Sequence, residues 1–206
     1  MGRCALSIAT LVMLAGVGPT TAQPAHDPDW PCIQRLVPEL SAGMLWGQAP
    51  PTTPNGEWHQ DPELAQLVGS VAARSTSIDQ AREAIADYAE DLPPDARAEK
   101  LGALFEGVLE LVNGERSRTI ASIKSYARNQ RQLAERIAQE NRRLDRLEHE
   151  RTSDSQTEAA ELRSERDWAL RIYDDRNRVL RQVCDQPVQL EQRAFALARA
   201  IQSQIE

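Results

Sequence analysis

Lysine is almost absent from this 206-residue chain: Lys100 and Lys124 stand against 22 arginines. Aromatic residues are scarce too, with two Phe, three Tyr and four Trp, which excludes a large aromatic core. The ten glycines form neither a phosphate-cradling loop nor a dinucleotide fingerprint. The three histidines, His26, His59 and His149, are never at H-x-x-x-H or H-E-x-x-H spacing. No G-x-S-x-G, C-x-x-C or C-x-x-C-H occurs, so the serine-hydrolase elbow, the thioredoxin motif and covalent haem are excluded. No pattern calls for a metal or cofactor. His26 with Asp27 and Asp29 is a weak metal candidate at a solvated terminus.

The first residues read as an export signal. Arg3 supplies positive charge, Cys4 to Val17 is apolar, and Thr20-Thr21-Ala22 places small residues before Gln23. The apolar run is about 14 residues, short of the roughly 20 that a membrane-spanning helix needs. The expectation is a signal peptide over 1–22, cleaved after Ala22. The mature chain then has no membrane span and a periplasmic or secreted location. An uncleaved anchor is the alternative. The Arg-over-Lys bias with abundant Ala is common in GC-rich bacterial genomes.

Removing the signal takes Cys4 with it. Cys32 and Cys184 remain, and an even pair in an oxidising compartment predicts a disulfide. The bond would close a loop of about 150 residues, for which the chain-entropy model gives an upper figure near 5 kcal/mol.

What is present argues for an all-α protein: a small helical body, a long antiparallel coiled-coil hairpin and an N-terminal Pro/Trp-rich irregular strap. Residues 23–62 hold eight of the twelve prolines and three of the four tryptophans, so 23–61 is read as the strap. The body, 62–113, is built of short helices. Asp61-Pro62-Glu63 is a helix start, Ser77 with Gln80 is a capping box, and Pro93-Pro94 ends the second helix. The third helix runs from near Pro94 or Asp95 and is expected to break or bend at Asn113-Gly114, the alternative being one longer helix that tolerates the glycine at a cost of about 1 kcal/mol.

Neither Pro nor Gly occurs between Gly114 and Pro187. From Ile120 to Leu144, apolar and polar residues step by three and four, giving a heptad-like seam that includes Gln130 and Asn141. Thr152 to Ser155 is read as the turn, with a capping box from Ser155 to Glu158. A second seam follows through Leu162, Ala169, Ile172, Arg176, Val179 and Val183. Two helices joined so briefly pack antiparallel, which makes 115–185 a hairpin. It places Cys184 opposite Ser122 at the arm's root, with Cys32 clamping the strap there. Gln186-Pro187 is expected to start a last helix, 187–206, that folds back onto the body.

Charge is uneven: 23–114 carries 15 acids and five bases, whereas 115–185 carries 14 acids and 16 bases. The acidic body and the chain's net charge of −7 argue against nucleic-acid binding. The L-T-x-x-Q repeats of stress-type helical chaperones are absent, as is the β-rich segment in which efflux adaptors embed their hairpins. The expected function is a non-enzymatic envelope adaptor or scaffold that engages a protein partner, with self-association possible. The rivals are a helical periplasmic chaperone and an enzyme whose site gathers His59 with acids. Candidate partner-surface residues are Trp30, Trp46 and Trp58 in the strap and Gln130, Asn141 and Arg176 in the arm. The tryptophans have a second role open to them, plugging a body that has few other aromatics.

Overall fold

The computed structural model describes residues 27–47 and 57–205. The expected export signal over 1–22, the stretch 48–56 and His26 lie outside them. About 80% of the described residues are helical, and they contain no strand. Among the described residues five α-helices follow in order: α1 (Ala42–Trp46), α2 (Pro62–Ala72), α3 (Ile78–Asp91), α4 (Arg97–Glu150) and α5 (Ser153–Gln202). A single 3-10 turn, Glu57–His59, precedes α2.

Local chemistry explains the short elements. Ser41 caps α1, and Gly47 ends it at φ 72°, a left-handed conformation that favours glycine. Asp61 accepts from the Glu63 and Leu64 amides to open α2, with Pro62 in its first turn. Ser77 and Gln80 exchange backbone bonds as a capping box for α3. At the far end of α2, Arg193 donates to the Val71 and Ala72 carbonyls, at 2.7 and 3.3 Å, where no helical donor follows.

Two expected breaks are absent. α4 is one helix of 54 residues and passes straight through Asn113 and Gly114. A lone glycine costs a helix only about 1 kcal/mol. The asparagine has a use here other than stopping the helix. Its side chain accepts from the Leu40 amide and donates to the Leu40 carbonyl, both at 2.9 Å. α5 is one helix of 50 residues with Pro187 inside it. Proline removes the amide that the Val183 carbonyl would take and crowds that carbonyl. Tertiary contacts hold the helix through this point: Arg116 donates to the Pro187 carbonyl, and Gln34 donates to the Cys184 carbonyl. The expected separate C-terminal helix is therefore a continuation of the arm's second helix.

The hairpin turn is also tighter than expected. Arg151 takes the left-handed conformation at φ 52°, and Thr152, not Ser155, caps α5. Ser155 is the inner member of that box: its Oγ accepts from the Thr152 amide at 3.0 Å, and its amide donates to Thr152 Oγ1 at 3.1 Å.

At 1.5 Å per residue, α4 and α5 are about 80 and 75 Å long. Their lower parts and α1 to α3 enclose the main core. Leu64, Val68, Ile85, Leu101, Leu104, Phe105, Leu197 and Ile201 are each at most 1% exposed. Above it the arm's interior is a string of small clusters. One joins Trp30, Cys32, Ile120, Ile123 and Cys184; a second holds Leu133, Ile137 and Ala169; the last, toward the turn, holds Leu144, Leu147, Ala159 and Leu162.

Candidate functional site

The strap runs along α4 in the opposite direction, and the side chains that hold it climb the helix in order. Asn113 takes Leu40. Arg116 donates from Nε to the Val37 carbonyl at 3.0 Å. Ile120 and Ile123 pack on Trp30 and Cys32. Lys124 pairs with Asp27 at 2.7 Å, and Arg128 with Asp29 at 2.8 Å. Arg131 also pairs with Asp29 and donates to the Pro28 carbonyl at 3.1 Å. The Arg128 guanidinium first, and then Arg131, holds the Asp29 carboxyl below its ordinary range.

Cys32 and Cys184 form the predicted disulfide, with Cα atoms 5.6 Å apart. It sits beside Ile120 and Ile123, at the arm's root and not near its tip. Just below, Arg116 is only 3% exposed. It joins three segments, binding the strap at Val37, α5 at Pro187, and Glu191 at 3.7 Å. Burial pushes its guanidinium below its ordinary value, and Glu191 offsets part of that. Sequence patterning does not single out Arg116, although it continues the Ile120 and Ile123 seam four residues back.

The three strap tryptophans are buried, with exposures of 5 to 6%. Trp30 donates to the Gln34 carbonyl at 2.8 Å. Trp46 meets Phe105 at a centroid distance of 4.6 Å. Trp58 donates to Glu110 at 3.1 Å. They fill core space instead of offering a surface, because the body's few other aromatics leave that volume to them. Trp58 fits because Gly107 faces it: a Cβ there would lie 2.9 Å from the indole and 2.8 Å from Val68.

The arm candidates divide. Gln130 is buried in the seam, donating to the Tyr173 carbonyl at 2.7 Å and to Asn177 at 3.2 Å. It serves the pairing of α4 with α5, not an outside partner. Asn141 and Arg176 lie outside the seam and are exposed. Asn141 accepts from Arg166 at 3.4 Å, and the Arg176 carbonyl accepts from Tyr126 at 2.9 Å. Arg176 borders an open groove of about 460 Å³ with Asn129, Leu133, Arg136 and Ile172. The fourth tryptophan, Trp168, is the exposed one at 62%, with Arg171 5.7 Å from its ring.

His59 meets one acid, Glu110, at 3.5 Å and stacks on Trp58. Among the described residues, no group of three or more His, Cys, Asp or Glu side chains is placed to hold a metal ion. Also among them, no helix is long and apolar enough to cross a membrane. The arm is a rod fastened to the body by strap, disulfide and Arg116. No family model, curated protein or solved structure matches the chain.

Proposed function

We propose that the protein is an exported, non-enzymatic adaptor of the cell envelope that presents a two-helix arm to a protein partner. The arm itself carries the reading: α4 and α5 run on beyond the body for about 50 Å, pinned at the root. A rod of this kind spans distance and offers a long face; it does not enclose a small substrate. The signal-like first 22 residues and the Cys32–Cys184 bond suit an oxidising compartment outside the cytoplasm. A tagged chain crosslinked in cells and recovered from the envelope fraction tests this. The expected result is a defined partner that is lost when the arm surface is altered, and recovery of no partner argues against the adaptor.

The exposed Trp168 and Val179 favour a second reading, a helical chaperone that shields apolar segments of clients. Suppression of client aggregation at near-stoichiometric ratios would support it over the adaptor.

A further inference from the structure

The strap shows how the outer face of α4 reads an acidic segment. Lys124, Arg128 and Arg131 stand at spacings of four and three, and the Asp27-Pro28-Asp29 turn, closed by the Trp30 amide donating to the Asp27 carbonyl at 3.0 Å, lies across them. The two carboxylates and the carbonyl between them are all engaged.

The same spacing recurs eighteen residues on, at Arg142, Arg146 and His149. Eighteen residues are five turns of an α-helix, so the second triad lies on the same face about 27 Å further along. All three residues are exposed. The neighbouring charges are already engaged across the hairpin, Arg143 with Glu158 and Glu148 with Arg163. Arg142 and Arg146 form no ion pair among the described residues. Asp145 and Glu150 are the nearby acids on this stretch of α4 and offset part of its charge; the Asp145 carbonyl also faces His149 Nδ1.

We propose that Arg142, Arg146 and His149 are a docking site for an acidic turn of a partner protein, with carboxylates two residues apart. The inference rests on the adaptor reading and names the chemistry of its partner. Residues 1–26 contain no Asp or Glu. Its own Asp27 and Asp29 are held at the first triad, with Cys32 bonded to α5 close by.

The test uses the full-length oxidised protein and a fluorescent synthetic peptide of sequence Ala-His-Asp-Pro-Asp-Trp-Pro, followed by anisotropy at increasing salt. The expected result is binding at low ionic strength that weakens as salt rises. Arg142→Gln/Arg146→Gln binds roughly tenfold more weakly, with unchanged melting temperature because both residues are exposed. A peptide with both Asp replaced by Asn does not bind. No binding, or equal binding to the double variant, overturns the site. So does a concentration-dependent dimer that the double variant abolishes, which would make a second copy the occupant. Failure here leaves the adaptor reading standing if envelope crosslinking still recovers a partner through another face.

Discussion

Asn113, in the middle of a 54-residue helix, binds the Leu40 peptide groups as a neighbouring strand would, accepting from the amide and donating to the carbonyl at 2.9 Å each. Leu40 is 1% exposed, so little water replaces these bonds. Replacing Asn113 with Ala leaves a donor and an acceptor unpaired and is expected to cost about 2 to 4 kcal/mol. Asn113→Asp keeps the acceptor but sets a carboxylate oxygen against the Leu40 carbonyl, so it should not recover the loss. Urea unfolding of the two variants beside the parent measures both, and a near-parental Asn113→Asp would show that donation to the Leu40 carbonyl is unimportant.

Two glycines of α4 should respond oppositely to alanine. At Gly107 the added methyl meets Trp58 and Val68 at under 3 Å, within a core that has no slack. The net effect of overpacking is a loss of about 1 to 3 kcal/mol. At Gly114 the nearest neighbour of the new Cβ is the end of the Arg118 side chain at 3.6 Å. The helix there should gain about 0.5 to 1 kcal/mol. Thermal melts of Gly107→Ala and Gly114→Ala should therefore shift in opposite directions.

The disulfide joins residues 152 apart in sequence. The loop-entropy model gives about 5 kcal/mol as its upper contribution. Urea midpoints with and without reductant should differ clearly, and Cys32→Ser/Cys184→Ser should match the reduced parent. Alkylation of the unreduced, denatured chain should leave Cys32 and Cys184 unmodified. Labelling at Cys4 in the same mass spectrum would report whether the first residues are retained.

Acid should weaken both the strap and the start of α2. Asp29 is held below its ordinary range by Arg128 and Arg131. Asp61 is held below it by Lys100 and the Leu64 amide, and its bond to Lys100 raises the ammonium in turn. A depressed carboxylate contributes stability that is present above its unfolded value, near pH 4, and is lost as pH falls through the lower folded value. The raised Lys100 contributes below its unfolded value, about pH 10.4, and loses that contribution as pH climbs past the higher folded one. Hydrogen exchange of the Trp30 amide between about pH 5 and 2 should show the strap's protection falling. Asp29→Asn should have low protection throughout, and a parent profile flat with pH would contradict the assignment.

The architecture is legible in the sequence because its signals are local and repeated. Three-and-four spacing marks the arm, Asp61-Pro62 and Ser77 to Gln80 mark two helix starts, and two cysteines imply the bond. Expectation and structure part where tertiary contacts override local preference. Pro187 stays helical because Arg116 and Gln34 bind neighbouring carbonyls, and those donors come from residues 71 and 150 positions away. Asn113-Gly114 reads as a stop until Leu40 is seen to need the asparagine. The tryptophans of a proline-rich segment read as plug or surface, with plug the favoured reading, and all three are buried. The basic triads are hidden in an arm of balanced charge. They emerge once Asp27 and Asp29 are placed on the first of them.

If the arm, and not the body, meets the partner, contact should be captured on the arm alone. A photo-crosslinking amino acid placed in living cells at Arg142 or at Arg146, with the exposed Asp87 on the body as the control, tests this most directly. The account predicts a discrete heavier species in the envelope fraction from both arm positions and none from Asp87. It also predicts loss of that species when the other arginine of the triad is changed to Gln. Adducts from Asp87 alone, or none from either arm position, would contradict it.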